Sequence, residues 1–413
     1  MLMKRISVGI AFLLLAATSC SDLKKSDKAP PINASTDAAQ PRNGQGVTES
    51  EAIIKVISDG LNPFAGSTMF GDPAYSAKVR SAIVRAPELA EKLEKIANAS
   101  TAFWIDRKAA ISGLRIYLDA ALKASQEKSS PVTATVVVYN LPDRDCAASA
   151  SNGELSGASG LKEYFSFIDE VAGVLNSYKA VRIAAVIEPD SLSNVVTNLG
   201  QRRCSSEVLA NYETGVAYAI EKLHAQHVSL YLDMAHGGWL GWQGNRSGVA
   251  QVIGRVLQRA GGSEKIRGFA TNVANYSVLQ FDYNRPSPWY DQSNPARDEL
   301  TYVQLLSQDL AAAGVSSRHF IIDTGRNGAQ NSRQSWGSWC NIANAAIGKF
   351  PQAEPLPEID AFVWIKPPGE SDGTSDASAP RYDYMCSSSD SLTPAPEAGA
   401  WFPDALLRLV RNS

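Results

Sequence analysis

Val181-Arg-Ile-Ala-Ala-Val-Ile187 runs directly into Glu188-Pro-Asp-Ser-Leu192. The first seven residues form a near-continuous apolar run of strand length, as expected for a strand covered on both faces. Two acids then stand where that strand must end. Six further runs share the strand pattern: Ala102–Ile105, Val132–Tyr139, Val228–Leu232, Ile266–Ala270, His319–Ile322 and Ala361–Ile365. Helix-patterned stretches lie between them, among them Leu161–Ser177, Glu207–Leu223, Gly248–Arg259 and Arg297–Ala313. Ser76–Ala97 adds helices before the first run. Alternating strand and helix predicts an α/β fold with a parallel sheet. About seven such units, with no Gly-rich nucleotide turn, favour a closed or nearly closed barrel over a doubly wound sheet.

In such a barrel all strand C-termini meet at one face, where active sites lie. Asp106, Asp143, Asp145, Glu188, Asp190, Asp233, Asp323, Glu370 and Asp372 all follow strand runs, so the sequence sends a ring of carboxylates to that face. Any one of them could be a helix cap; acids after nearly every strand point to chemistry. Trp104, Trp239, Trp242 and Trp339 fall near the same strand ends. An indole face beside polar groups suits a pyranose ring. Carboxylates with aromatic platforms point to glycoside hydrolysis, which needs one protonated acid and one carboxylate acting on water or carbon.

The composition is that of a globular chain: 413 residues, 44% hydrophobic and 20% charged. Lys and Arg number 39 against 42 Asp and Glu, a net −3 without the concentrated positive charge that nucleic-acid binding uses. At the N-terminus Lys4 and Arg5 precede an apolar run, Val8–Ala17, of about ten residues, half the ~20 that a spanning helix needs. Thr18-Ser19-Cys20 follows. This reads as a secretory signal over residues 1–19 with a lipoprotein-type cleavage before Cys20, which would carry the lipid anchor. Plain secretion is the alternative. Ser21 behind the Cys resembles outer-membrane sorting. Residues 20–48 read as a flexible tether and 49–413 as one catalytic domain. The remaining Cys146, Cys204, Cys340 and Cys386 suggest two disulfides with three possible pairings. No CxxC or His-Cys cluster suggests zinc, and neither a metal nor a cofactor is expected.

The blocks Val138-Tyr-Asn-Leu-Pro-Asp-Arg-Asp-Cys-Ala147, Ile187-Glu-Pro-Asp-Ser-Leu192, Tyr231-Leu-Asp-Met-Ala-His-Gly-Gly-Trp-Leu-Gly-Trp242, Phe362-Val-Trp-Ile-Lys-Pro-Pro-Gly-Glu370 and Pro394-Ala-Pro-Glu-Ala-Gly-Ala-Trp401 resemble glycoside hydrolase family 6. The resemblance runs from about Asn62 to the C-terminus. It implies a distorted, partly open (β/α) barrel of about seven parallel strands with outer helices, and an inverting β-1,4-glucanase acting on cellulose. By the resemblance, Asp190 is the general acid. Asp145 keeps Asp190 protonated and relays a proton from water, Ser151 orients that water, and Asp372 is the other candidate base. Tyr139 helps distort the sugar, and Arg144 sits among the acids. Asp233 looks structural or electrostatic. Trp104, Asp106, His236, Trp239, Asn275, Trp339, Lys366 and Glu370 match sugar-binding positions, and Trp242 matches a stacking residue toward the entering chain. Cys146–Cys204 and Cys340–Cys386 match the family's two disulfides. His236 and Arg326 each have a second reading, as a loop brace and a strand-end brace; His224, His227 and His319 look structural.

Long loops at Ala147–Gly160 and Gly373–Pro396 would roof the cleft into a tunnel through which a chain end must thread, which favours processive release of cellobiose; the resemblance implies release from the non-reducing end. An endoglucanase of the same family is the alternative, followed by a hydrolase of another β-glucan and by a non-catalytic surface glycan-binding lipoprotein. A monomer is expected, with cellulose or cello-oligosaccharides as partner and no nucleic acid.

Overall fold

Val132–Val138 and Arg182–Ile187 are buried at every residue, because both faces of the sheet they form are covered. In the computed structural model, which describes residues 62–284 and 293–413, the chain builds a nine-stranded sheet. The signal, Cys20, the tether and the first residues of the assigned catalytic domain lie outside the described residues. In chain order the strands are β1 (Thr68–Met69), β2 (Phe103–Ile105), β3 (Val132–Val138), β4 (Arg182–Ile187), β5 (Val228–Asp233), β6 (Gly268–Thr271), β7 (His319–Asp323), β8 (Gln352–Leu356) and β9 (Ile359–Val363). The order across the sheet is β1-β3-β4-β5-β6-β7-β9-β8, with β2 also on β3. All pairings are parallel except β8 with β9.

All seven expected runs are strands, with ends moved by a residue or two. The largest shift is in the last, where the strand is Ile359–Val363 rather than Ala361–Ile365. Two strands were not read from the sequence. β1 is only two residues long. β8 is an edge strand with exposed and half-buried residues alternating, so it lacks the apolar run that marks its neighbours.

The sheet curls until its ends almost meet. β1 and β2 take successive stretches of the β3 edge. On the far side, the Ala102 N–H donates to the Trp364 carbonyl at 3.1 Å, and Trp104 Nε1 donates to the Ile365 carbonyl at 2.8 Å. The barrel is therefore partly open, laced at one seam instead of closed by a strand ladder.

Alternate residues feed two cores. Val137, Ala184, Val186, Tyr231, Ala270, Ile321, Ala361 and Val363 fill the barrel interior with Phe64 and Tyr139. Val136, Ile183, Ile187, Leu230, Leu232, Phe269, Phe320 and Ile322 face the outer helices. Ser206–Leu223 starts where Ser205 Oγ accepts the Val208 N–H at 3.2 Å, and Glu299–Ala312 where Asp298 accepts the Thr301 N–H at 2.7 Å.

Both disulfides are formed as the resemblance implies, Cys146–Cys204 and Cys340–Cys386. The second spans 46 residues; loop-closure entropy assigns such a bridge roughly 4 kcal/mol. Replacing Cys340 and Cys386 together by Ser is expected to lower Tm and to expose the loop around Cys386 to protease. An unchanged Tm by calorimetry would contradict this.

Candidate active site

Where parallel strands stop, their next N–H groups lose sheet partners and need acceptors. This chain supplies carboxylates. Asp233 Oδ1 accepts the N–H groups of Asp190 (2.8 Å) and Ala235 (3.1 Å). Glu188 accepts those of Asn140 (3.0 Å) and Leu141 (3.3 Å). Asp323 accepts those of Ala274, Gly325 and Lys366 at 2.9–3.1 Å. Asp143 accepts the Gly157 N–H at 2.8 Å. The turns so held are left-handed at Asp143, Asp145, Glu188, Asp190, Ala235, Asn272 and Ala274, with φ between 47° and 65°.

The expected ring of acids therefore divides in two. Asp143, Glu188, Asp233 and Asp323 turn to the backbone. Asp106, Asp145, Asp190, Glu370 and Asp372 line a cavity of about 1170 Å³ at the strand C-termini. The same cavity gathers Trp104, Tyr139, Arg144, Ser151, His236, Trp239, Trp242, Asn275, Trp339 and Lys366, so every expected catalytic and sugar-binding residue reaches one place.

Asp190 has its pKa raised well above the carboxylate range by burial first, and then by the charges of Asp233 and Asp145. Burial raises Asp145 to about 6 against the opposing pull of Arg144 and Arg203. Asp233 rises to about 7 by burial, although its two N–H donors oppose the shift. Arg144 does lie beside these acids, but its hydrogen bonds run to carbonyls. Nε donates to Ser151 at 2.7 Å and Nη1 to Asp106 and Tyr139. It also stacks 4.3 Å over the Tyr139 ring. Its work is to shape the loop, with a field felt by Asp145.

Asp372 is held differently. Arg326 Nη1 lies 2.9 Å from both of its oxygens, Tyr276 Oη donates at 2.6 Å, and the Asn341 N–H donates at 2.9 Å. Arg326 is thus a site residue through Asp372 and not only a strand-end brace. His236 fits both of its readings: it lines the cavity, and its Nδ1 lies 3.2 Å from Ser277 Oγ. Burial, followed by Arg333, pushes its pKa well down. Lys366 Nζ donates to the Ser371 carbonyl at 3.0 Å and sits 5.6 Å from the Trp104 ring.

Sequence reasoning missed Trp336, whose ring meets Trp242 edge-on at 6.1 Å in the cavity wall. The signal was there in Trp336-Gly-Ser-Trp339, two indoles in one short loop. Tyr276 was also missed. Among the described residues no group of three or more His, Cys, Asp or Glu is placed to hold a metal ion.

A cleft walled by indoles, with an acid whose pKa is pushed up beside a second carboxylate, is the arrangement of a glycoside-cleaving site. The sequence profile of Glycosyl hydrolases family 6 matches residues 64–413. Exoglucanase 3 of Agaricus bisporus is 44% identical over 85% of this chain and 79% of its own length. 1,4-beta-D-glucan cellobiohydrolase C of Emericella nidulans is 42% identical over 85% and 78%. Among solved structures, the CcCel6A catalytic domain complexed with p-nitrophenyl beta-D-cellotrioside superposes with a TM-score of 0.81 at 43% identity, covering 86% of this chain and 98% of that one. Cellobiohydrolase II (Cel6A) from Humicola insolens, in complex with glucose and cellotetraose, gives 0.81 at 39% identity over 85% and 99%. The chain belongs to glycosyl hydrolase family 6.

The buried acids predict a pH dependence of stability. Burial raises Glu188 and Asp233 to about 7 and Glu299, under the Gly237 N–H, to about 8. A carboxyl with a raised folded pKa stabilises fully below its unfolded pKa, and that contribution is lost as pH rises through the folded value. Tm is expected to fall by roughly 5 °C between pH 5 and 8.5, and Glu299→Gln should flatten the slope. A Tm that rises over this range would refute the assignment.

Proposed function

We propose that this chain hydrolyses the β-1,4-glucosidic bonds of cellulose with inversion and releases cellobiose from non-reducing chain ends. The observation that carries this reading is the placement of Asp190, a buried carboxyl whose pKa is pushed up by burial and by Asp233 and Asp145, inside an indole-walled cleft that two loops span. Residues of both loops line the cavity, among them Ala148 and Ser151 from one and Arg381 from the other. The loops also touch, with Ala150 packed on the Cys340–Cys386 bridge.

The steps follow from the charges. A glucan chain lies along Trp104, Trp339, Trp239 and Trp242. Asp190 gives its proton to the glycosidic oxygen as the bond to the anomeric carbon breaks. Water attacks that carbon from the opposite face, and its proton passes by way of Ser151 to Asp145. Asp145 suits this role because it is raised to about 6, and the neighbouring Arg144 and Arg203 bond backbone carbonyls instead of its carboxylate. Asp372 is the weaker candidate for base. Both of its oxygens are committed to Arg326, Tyr276 and Asn341, and protonating it would sacrifice a buried ion pair. The protein works without a cofactor in this scheme.

Export fits the two disulfides, which persist in oxidising compartments. The reading is completed by removal of residues 1–19, a lipid on Cys20, a tether to residue 48 and a monomeric catalytic domain beyond it.

Chromatography of soluble products from amorphous cellulose tests the function. Wild type should give mainly cellobiose. Asp190→Asn should lose about 10²–10⁴-fold in kcat yet bind cellotetraose as wild type does, because the stacking surface is untouched. Longer mixed oligosaccharides from wild type would favour the endo-acting reading, and no product at all would favour a binding protein.

A further inference from the structure

Each roof loop is tied by one disulfide, and Asp383 gathers the polar contacts between the two sides. Asp383 Oδ2 accepts the Ser149 N–H at 3.0 Å and Arg202 Nη1 at 2.9 Å, while Oδ1 accepts the Met385 N–H at 3.1 Å. The Asp383 side chain is 2% exposed and that of Arg202 42%. Asp383 is three residues from Cys386, and Arg202 is two from Cys204. The join is close-packed as well as charged. A Cβ on Gly373 would lie 2.7 Å from both Ala150 Cβ and Cys386 Sγ.

Arg202 and Arg203 divide the work between them. Arg202, left-handed at φ 45°, reaches across to the far loop and over the Tyr384 ring at 5.6 Å. Arg203 turns the other way, and its Nη2 donates to the carbonyls of Asp145 (2.9 Å) and Ala148 (2.8 Å). The residue that closes the roof is therefore bonded in sequence to the one that grips the backbone carrying Asp145.

We propose that Arg202 and Asp383 form a latch that holds the roof shut along a bound chain, and that this latch sets how strongly the cleft favours chain ends over internal segments. The proposal rests on the cellulose reading above and names the determinant of its exo character. Arg202 touches neither substrate nor the reacting atoms; it is a positioning residue. With the latch open, a chain middle can enter from the side, and a threaded chain can leave before the next cut.

The test compares wild type, Arg202→Met, Arg202→Lys and Asp383→Asn. Arg202→Met keeps the aliphatic stem at a half-exposed site and is expected to fold. Its ratio of soluble to insoluble reducing ends on amorphous cellulose should fall about two- to fivefold, the range for loss of one half-exposed ion pair. Viscosity loss per bond cut in carboxymethyl cellulose should rise by a similar factor. kcat on cellotetraose should stay within twofold, and Arg202→Lys should recover most of the wild-type ratio. A brace of the fold alone would lower Tm and leave the product ratio unmoved, and that outcome would overturn the proposal. If wild type releases no cellobiose from cellulose, the function is misread, and the latch is judged by hydrogen exchange. Faster exchange in 146–153 and 376–388 of Arg202→Met supports it, and unchanged exchange rejects it.

Discussion

One oxygen of Asp233 accepts two backbone N–H groups, from Asp190 on the β4 loop and Ala235 on its own. Both donors are left-handed, at φ 65° and 47°. For a residue with a Cβ that region costs on the order of 1 kcal/mol or more. The turns persist because their N–H groups would otherwise be buried without an acceptor. Asp323 does the same for Ala274, at φ 56°. Glu188 holds Asn140 and Leu141 just ahead of the left-handed Asp143 and Asp145. The active-site face of the barrel is thus a set of strained turns, several of them anchored by an acid from the neighbouring strand. The position of Asp190 depends on this anchoring.

The same anchoring sets the electrostatics. A carboxylate brought to a dry strand end must either find a cation or keep its proton. Asp372 takes the first course, in a buried ion pair with Arg326. Asp190 takes the second, facing the like charges of Asp233 and Asp145. The anchor of the turn therefore also raises the pKa of the residue it positions. Asp145, Asp190 and Asp233 titrate as a linked group in which a proton on one eases ionisation of the others. The difference in partners separates Asp190 from Asp372 more clearly than residue type does, since both are aspartates.

The sheet was legible because burial on both faces removes polar alternation, as in Val132–Val138 and Arg182–Ile187. β8 was not, because an exposed edge strand such as Gln352–Leu356 is no more apolar than a loop. The strand-end acids were legible as a group. Their division was not, because Glu188 and Asp190 differ by two positions, and a sequence does not say which carboxylate turns to the backbone. The family resemblance carried that distinction for Asp190 and Asp145. Contacts between distant loops were the least visible. Nothing near Asp383 announces Arg202, 181 residues earlier, and Arg326 reads as a brace until Asp372 is placed against it.

The roof also shows why the covalent ties sit where they do. Gly373–Pro396 has little regular structure beyond the short turn at Tyr384–Ser387, so it needs outside support to keep one shape. Cys340–Cys386 ties it to the segment after β7, and Cys146–Cys204 ties the β3 loop to the segment before helix Ser206–Leu223. Each bridge stays on its own side of the cleft. Among the described residues, hydrogen bonds, an ion pair and packing cross it, at Ser149, Ala150, Arg202 and Asp383. A passage that must admit a polymer and release a product cannot be sealed by a covalent bond across its opening. The disulfides remove the freedom that would let the loops unfold, and the crossing contacts, each worth only about 1 kcal/mol, leave them free to part.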